Sequence, residues 1–218
     1  MPVDRVLGVI PARLGAERLP GKPLRLLGNK PLIQRVALNA RASDALDEIV
    51  VASDADEVLE AATAAGFRGV KTRGDHTSGT SRVGEVAALA EFREFTIVVN
   101  VQGDEPFLPA AAIRGAVDEV VRGWDVGTAA VPLDPKLAPT PSIVKVVLDE
   151  LGRALYFSRA LIPHDRSGKG GVRYWQHLGV YAYRPVALAL WLTLPPTAPE
   201  DGDRLEQLRA LGHGMPIG

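Results

Sequence analysis

The sequence contains no cysteine. This absence excludes disulfide bonds, zinc sites built on thiolates and cysteine nucleophiles. It does not fix the compartment, because many cytosolic enzymes also lack cysteine. Only four histidines are present, so the chain offers few combinations of histidine metal ligands.

The chain also lacks an excess of either charge and any long hydrophobic run. Lysine and arginine total 25, against 26 aspartates and glutamates, which argues against wrapping a nucleic acid and makes any anion site local. The run PVALALWLTLPP is shorter than the roughly 18 residues that span a bilayer, and the start MPVDRVLGVIPA lacks the core of a signal peptide. We therefore expect a cytoplasmic protein without membrane insertion and without a nucleic-acid partner.

Apolar runs of strand length alternate with segments of helical period. This order predicts an α/β fold, in which helices flank a mainly parallel sheet. The 218 residues suffice for one sizeable domain, and we expect residues 1–218 to form one. Strands are predicted at 6–10, 49–52, 70–72, 96–101 and 126–133. Helices are predicted from Pro31, from a Ser53/Asp54 cap to a stop at Gly66, over 81–92, and from Pro109 to about Arg122.

The character of the chain changes after residue 142. Residues 143–148 and 154–158 alternate around Glu150-Leu-Gly152, which predicts a β-hairpin, and 175–183 adds a further strand. We therefore expect an antiparallel β insertion at about 143–184. The Pro/Gly-rich stretches 132–142, 167–171 and 195–202 are predicted to be loops.

The first candidate site is the segment PARLGAERLPGKPL, residues 11–24, which follows the first strand. Open α/β sheets bind ligands at the carboxyl ends of their strands. Arg13, Arg18 and Lys22 supply three cations, and Gly15 and Gly21 allow a close approach of the backbone to phosphate oxygens. A triphosphate-binding loop and a solvated basic loop are both consistent with this segment. It matches neither a dinucleotide-binding glycine motif nor a Walker P-loop.

The second candidate is VVNVQGDEP, residues 98–106. It places two carboxylates at the exit of a strand that is apolar enough to be buried on both faces. Asp104 is a candidate magnesium ligand, because a hard cation prefers carboxylate and phosphate oxygens. Glu105 either assists or caps. The alternative is that this acidic pair only forms a turn or caps the next helix.

The third candidate is the polar loop DHTSGTSR, residues 75–82, which precedes a helix. Ser78 and Thr80 are candidate helix caps, and capping alone explains much of the segment. The functional alternative assigns its backbone and hydroxyl groups to the base or sugar of a nucleotide.

The fourth group is dispersed over three segments: ALYFSRALIP at 154–163, HLGVYAY at 177–183 and RLEQLR at 204–209. His177, Tyr181 and Tyr183 alternate along a strand and therefore share one face. Glu206 and Gln207 are placed on a later helix. Each residue also has an ordinary structural explanation, so only the combination predicts an acceptor pocket.

With these segments identified, the chain resembles the 3-deoxy-manno-octulosonate cytidylyltransferase (CMP-KDO synthetase) family, from about Val6 through Gly214. The segments IPAR, RLPGKPL, DHTSGT, VVNVQGDEP, VKVV, ALYFSR, HLGVYAYR and LEQLRAL occur in the order typical of that family. The resemblance implies a Rossmann-like nucleotidyltransferase fold and a homodimer formed largely by the antiparallel region. It also implies transfer of CMP from CTP to the sugar acid, with magnesium as the cofactor.

The resemblance also implies a role for each candidate residue. Arg13, Lys22 and Asp104 would be catalytic, and Asp104 would hold the magnesium ion. The nucleotide would bind to Pro11, Ala12, Arg13, Arg18, Lys22, Ser78, Gly79 and Gln102. The sugar acid would bind to Gln102, Arg159, His177, Tyr181, Glu206 and Gln207.

Three features depart from the family pattern. Ala16 and Glu17 stand where the family has small hydroxyl residues, and Glu17 brings a negative charge beside the expected triphosphate. Ser81 stands where the family commonly has aspartate. The sequence ends before the family's Gly-x-Asp-Thr-Pro-Glu-Asp-Leu segment, whose aspartate is a second magnesium ligand. A shortened chain, another sugar-acid acceptor such as a sialic-type nonulosonate, and a non-catalytic nucleotide-binding homologue therefore stay open.

Overall fold

One mixed β-sheet organises the molecule. The computed structural model describes residues 4–15 and 19–218. Within them an eight-stranded sheet runs in the order β5-β4-β1-β6-β10-β8-β9, and β7 pairs with β10. Neighbours from β5 to β6 are parallel, and the pairings of β10 and of β8 with β9 are antiparallel. The α/β class and the antiparallel addition are therefore confirmed. The sheet strands are β1 Val6–Pro11, β4 Glu48–Ser53, β5 Arg68–Lys71, β6 Ile97–Asn100, β7 Val126–Leu133, β8 Lys145–Leu148, β9 Ala154–Ser158 and β10 Tyr174–Tyr183.

Helices cover both faces of this sheet. One face of β1 and β6 packs with α1, α2 and α4, and the other packs with α3, α5 and α7. Both strands are buried along their whole length, which explains their nearly continuous apolar sequences. The helices are α1 Leu32–Arg41, α2 Asp56–Ala64, α3 Gly79–Ala88, α4 Ala110–Val121, α5 Pro185–Thr193, α6 Ala198–Asp203 and α7 Gln207–Gly212. A small hairpin of β2 Leu26–Leu27 and β3 Lys30–Pro31 stands apart from the sheet.

The long strand β10 joins the parallel and antiparallel parts. Tyr181 pairs with β6 on one side and with β7 on the other, and Gln176 pairs with β7 and β8. A bulge lies between Leu178 and Tyr181, which face adjacent residues of β7. Two residues are accommodated in the bulge, so the alternation of the strand continues unchanged beyond it.

The structure corrects the predicted starts of two helices. The helix α2 has Ala55, not Ser53 or Asp54, at its N-cap, because Asp54 instead forms an ion pair with Arg82 at 2.9 Å. The expected stop at Gly66 is confirmed by its φ of +78°. The helix α3 begins at Gly79, two residues before the predicted start, and Thr80 lies inside it.

The predicted loop at 195–202 contains most of the helix α6. Thr197 and Glu200 form a capping box there, and a proline stands in the first turn. The pattern Thr-x-x-Glu is a known signal for a helix start. The loop prediction relied on the Pro/Gly content of the stretch and overlooked this motif. No helix among the described residues is long and apolar enough to cross a membrane.

Candidate active site

A cavity of about 580 Å³ opens at the carboxyl ends of β1 and β6. Its size lies within the usual range for small-molecule sites. It brings together the first three candidate segments, which are far apart in the sequence. The predicted residues that line it are Pro11, Ala12, Arg13, Lys22, Ser78, Gly79, Gln102 and Asp104.

Lys22 and Asp104 meet across this cavity. The Lys22 Nζ donates to Asp104 Oδ2 at 2.6 Å, and both side chains are partly exposed. Lys22 begins a short 3-10 helix, Lys22–Leu24. Gly21 is the N-cap of this helix and has a φ of +67°, which glycine adopts readily. The cavity thus offers a cation that can pair with an anionic group and a carboxylate that can bind a metal ion. Arg18, together with Ala16 and Glu17, lies outside the described residues.

The two strand ends approach each other closely at Gly103. A Cβ atom at this position would lie 2.4 Å from the Pro11 carbonyl oxygen. Only glycine permits this contact between the exits of β1 and β6, because a backbone oxygen cannot yield as a flexible side chain can. Sequence reasoning did not single out Gly103, although it lies in the motif VQGDEP. The shape of the cavity depends on this residue.

The third wall of the cavity is the N-terminus of α3. Ser78 is the N-cap, and its side chain forms a capping box with Ser81. The backbone of Gly79 follows at the positive end of the helix, where an anionic ligand is favoured. The hydroxyl groups of Ser78 and Thr80 donate to Glu206, at 3.1 Å and 2.8 Å. Ser78 is therefore a cap as predicted, whereas Thr80 is not.

His76 is a cavity residue that the sequence reasoning missed. Its side chain is only 4% exposed, and it lines the cavity beside Ser78. Its Nδ1 lies 3.1 Å from Ser81 Oγ, and its Nε2 is bonded to Glu85. Burial would raise the pKa of the Glu85 carboxyl, but hydrogen bonds from His76 and the Arg73 amide outweigh it and hold that pKa below its usual value. The ring thus anchors the loop in front of α3.

The acidic pair after β6 has an unequal electrostatic setting. The pKa of Glu105 is raised, first by burial and then by the negative charge of Asp104, while Lys22 opposes the shift. A cation placed here would relieve the repulsion between the two carboxylates. Among the described residues no group of three His, Asp or Glu side chains forms a ready metal site. Any metal at Asp104 would therefore need further oxygen ligands from a bound phosphate and from water.

Of the predicted acceptor residues, Gln102 lines the main cavity, whereas Arg159, His177, Tyr181, Glu206 and Gln207 lie outside its wall. Glu206 and Gln207 lie at the start of α7, and Glu206 contacts the α3 N-terminus as described above. Arg159 contacts the end of α6, where its Nε donates to the Asp203 carbonyl at 2.9 Å. The fully buried Lys145 supports it, since its Nζ donates to the carbonyl oxygens of Thr140, Ile143 and Arg159. Burial, with the nearby Arg159 charge, lowers the pKa of Lys145.

His177 and Tyr181 lie in a buried aromatic cluster. The His177 ring contacts Phe157 and Tyr181, at centroid distances of 4.9 Å and 5.4 Å, and its Nε2 lies 3.0 Å from Thr128 Oγ1. Tyr183 stacks on Tyr181, so the predicted shared face is present. Both rings are at least nine-tenths buried, and their contact with a sugar acid stays a prediction.

Burial lowers the pKa of His177 to about 3. The unfolded chain binds a proton near pH 6.5, so the native state loses stability as the pH falls from there towards 3. We expect His177 to account for roughly 2 kcal/mol of the stability lost between pH 7.5 and pH 5. His177→Gln should therefore show a flatter decline than the parent in urea unfolding at these two values. His213→Gln, at an exposed position, should decline like the parent. An unchanged decline in the His177 variant would contradict the assignment.

Comparison with known families gives a match over nearly the whole chain. The family model described as cytidylyltransferase matches residues 7–217. A 3-deoxy-manno-octulosonate cytidylyltransferase of Gemmatimonas aurantiaca is 51% identical, and the alignment covers 98% of this chain and 84% of that protein. A protein of the same name from Acidobacterium capsulatum is 45% identical, with coverages of 97% and 86%.

Solved structures agree with the sequence comparison. CMP:2-keto-3-deoxy-manno-octonic acid synthetase, determined in complex with CTP, superposes with a TM-score of 0.91 at 38% identity. The superposition covers 98% of this chain and 88% of that one. A 4-diphosphocytidyl-2C-methyl-D-erythritol synthase superposes with a TM-score of 0.64 at 18% identity and covers 100% and 88% of the two chains. This second likeness concerns the fold alone.

Proposed function

The chain belongs to the cytidylyltransferase family, and from this premise we propose that it transfers CMP from CTP to 3-deoxy-D-manno-octulosonate, releasing pyrophosphate. The resemblance found in the motifs is confirmed by the family match. The observation that carries the proposal is the cavity at the ends of β1 and β6, around which the first three motifs meet. The product would be CMP-KDO, an activated sugar for lipopolysaccharide synthesis.

We propose that the donor CTP occupies this cavity. Its phosphates would contact Arg13, Lys22 and, by resemblance, Arg18, while Pro11 and Ala12 would form the floor. The base and ribose would face Ser78, Gly79 and Gln102. The N-terminus of α3 supports this orientation, because the first amides of a helix have no intrahelical partner and can donate to acceptor atoms of the base or ribose.

We propose magnesium as the cofactor and Asp104 as its protein ligand. One carboxylate is a suitable contribution, since Mg²⁺ usually binds through one or two carboxylates together with substrate phosphates and water. The ion would neutralise charge on the triphosphate during transfer. The ion pair between Lys22 and Asp104 suggests an exchange in which CTP attracts the lysine and frees the carboxylate.

The proposed reaction is an in-line displacement at the α-phosphorus. The anomeric hydroxyl of the sugar acid attacks, a new P–O bond forms, the bond to the bridging oxygen breaks, and the hydroxyl proton is released. Arg13 and Lys22 would stabilise the charge that develops on the phosphates, which is commonly the largest catalytic contribution in such transfers. The chain itself forms no covalent bond to either substrate.

We propose that the sugar acid binds next to the donor. Gln102 would contact it from the cavity side, and Arg159, His177, Tyr181, Glu206 and Gln207 would line its pocket. Arg159 is the cation in this set and would suit the carboxylate of the acceptor. The buried positions of His177 and Tyr181 make them supports for the pocket wall.

We further propose a homodimer formed largely by the antiparallel region at about 143–184. The hairpin of β8 and β9 presents the exposed side chains Leu151, Leu155 and Tyr156. Exposed apolar and aromatic side chains of this kind are common at protein interfaces. We place the reaction in the cytoplasm, where CTP is made, and we keep residues 1–218 as one proposed domain.

A direct assay tests the proposed activity. We expect pyrophosphate release from CTP with 3-deoxy-D-manno-octulosonate and Mg²⁺, and we expect chelation of the metal by EDTA to reduce the rate at least a hundredfold. Sialic-type nonulosonates serve as competing acceptors in the same assay. Pyrophosphate release with a nonulosonate, and none with 3-deoxy-D-manno-octulosonate, would change the proposed acceptor to a nonulosonate. Tight CTP binding without turnover on any acceptor would instead indicate a non-catalytic nucleotide-binding protein.

A further inference from the structure

One carboxylate links the donor cavity to the proposed acceptor residues. Glu206 Oε2 accepts a hydrogen bond from Thr80 Oγ1 at 2.8 Å, and Oε1 accepts one from Ser78 Oγ at 3.1 Å. The partners are 126 and 128 residues apart in the sequence. Both oxygens of the carboxylate are therefore held by the first residues of α3.

Thr80 itself does not face the cavity. It is only 5% exposed and is absent from the cavity wall, which its neighbours Ser78 and Gly79 form. Its hydroxyl serves Glu206 instead of a helix cap. We therefore expect Thr80 to influence a substrate through the carboxylate that it holds.

The held carboxylate has a defined chemistry. Glu206 lies beside the N-terminus of α3, where its carboxylate accepts hydrogen bonds from two hydroxyl groups. An ionised carboxylate only accepts hydrogen bonds, and each oxygen keeps one lone-pair direction after it binds a hydroxyl of α3. Those remaining directions suit the hydroxyl groups of a sugar. They would repel the acid group, so the polyhydroxy side of the acceptor must face Glu206.

We propose that Thr80 is a positioning residue, which fixes the Glu206 carboxylate so that its free lone pairs meet hydroxyl groups of the sugar-acid acceptor. This inference rests on the proposed function and deepens it. It assigns to Thr80 an effect on the acceptor and none on CTP, although Thr80 belongs to the segment that surrounds the nucleotide. A purely structural role would not separate the two substrates.

The test compares variants of Thr80 with the parent in steady-state assays of pyrophosphate release. Thr80→Val keeps the branched shape and removes the hydroxyl, and we expect about a tenfold rise in KM for 3-deoxy-D-manno-octulosonate, in line with the loss of a hydrogen bond to a charged group. We expect KM for CTP to change less than about twofold. Thr80→Ser restores the hydroxyl and should recover most of the affinity for the acceptor.

Thr96→Val is the matched control. Its hydroxyl also donates to a carboxylate, Asp4 Oδ1 at 2.6 Å. Thr96 lies just before the amino end of β6, whereas the cavity opens at the carboxyl end of that strand. We expect both KM values of this variant to match those of the parent. In a Glu206→Gln background, Thr80→Val should add less than a further twofold, because the two residues act through one contact.

The outcomes separate this inference from the activity on which it rests. A parent protein without pyrophosphate release on any sugar acid would overturn the proposed function. An active parent in which Thr80→Val raises neither KM, or raises both equally, would overturn the role of Thr80 alone. The role of Thr80 would also be overturned if Thr80→Ser did not bring KM for the acceptor close to the parental value. This second result applies even if Thr80→Val proves unstable.

Discussion

Asp104→Asn is expected to lower turnover by about 10²- to 10³-fold, the range typical when one preorganised electrostatic contact at a reacting centre is lost. The change removes the proposed metal ligand and keeps its shape. It also dissolves the ion pair with Lys22 and so releases that lysine for a phosphate. CTP affinity measured in EDTA should therefore hold or rise, and the defect should appear in kcat.

Glu105→Gln controls for the loss of a charge at the same place. It removes one carboxylate from the same acidic pair, whose repulsion helps to raise the pKa of Glu105. We expect its kcat to stay within about threefold of the parent, since a change of charge without loss of a ligand has a modest effect near a solvated surface. Equal losses in both variants would mean that general negative charge matters and that Asp104 has no special role.

Gly103→Ala is expected to disrupt the donor cavity itself. The new Cβ would lie 2.4 Å from the Pro11 carbonyl oxygen, so the exits of β1 and β6 must separate. Because small displacements of positioned groups can reduce rates about a hundredfold, we expect losses of at least that size in kcat/KM together with weaker CTP binding. The overpacking should also lower the free energy of unfolding by about 1–3 kcal/mol.

Gly115→Ala is the matched control for this substitution. Gly115 lies within α4, and a Cβ there would meet nothing within 4 Å among the described residues. Alanine is favoured over glycine in a helix by up to about 1 kcal/mol, so this variant should be as stable as the parent or slightly more so. CTP binding by Gly103→Ala at parental strength would show that the strand exits tolerate separation.

The sequence predicted the parallel half of the fold because its signals are local. Buried parallel strands produce apolar runs, such as those of β1 and β6, and polar residues at their carboxyl ends mark a ligand edge. The sequence therefore predicts that Lys22 and Asp104 both act on a triphosphate and its magnesium ion at this end of the sheet. The alternation of strands and helices predicted the α/β class, whereas the Rossmann-like nucleotidyltransferase fold was implied by the family resemblance.

Other features could not be predicted because they depend on contacts between distant segments. The bonds from Ser78 and Thr80 to Glu206 connect motifs that periodicity treats separately. The role of Gly103 depends on the path of a second strand, and the burial of His177 depends on aromatic side chains from β9 and β10. Sequence patterns identify candidate functional residues, but the contacts between those residues depend on the three-dimensional fold.

The late position of β10 in the sequence leaves part of the sheet unpaired while a ribosome synthesises the chain. β6 is complete at Asn100, but the strand that covers its free edge starts at Tyr174. Until that strand emerges, the nascent chain presents unpaired backbone groups along β6 and β7, which are open to pairing with other chains. We therefore expect a fragment that ends before residue 174 to expose these strands and to aggregate more readily than the whole chain.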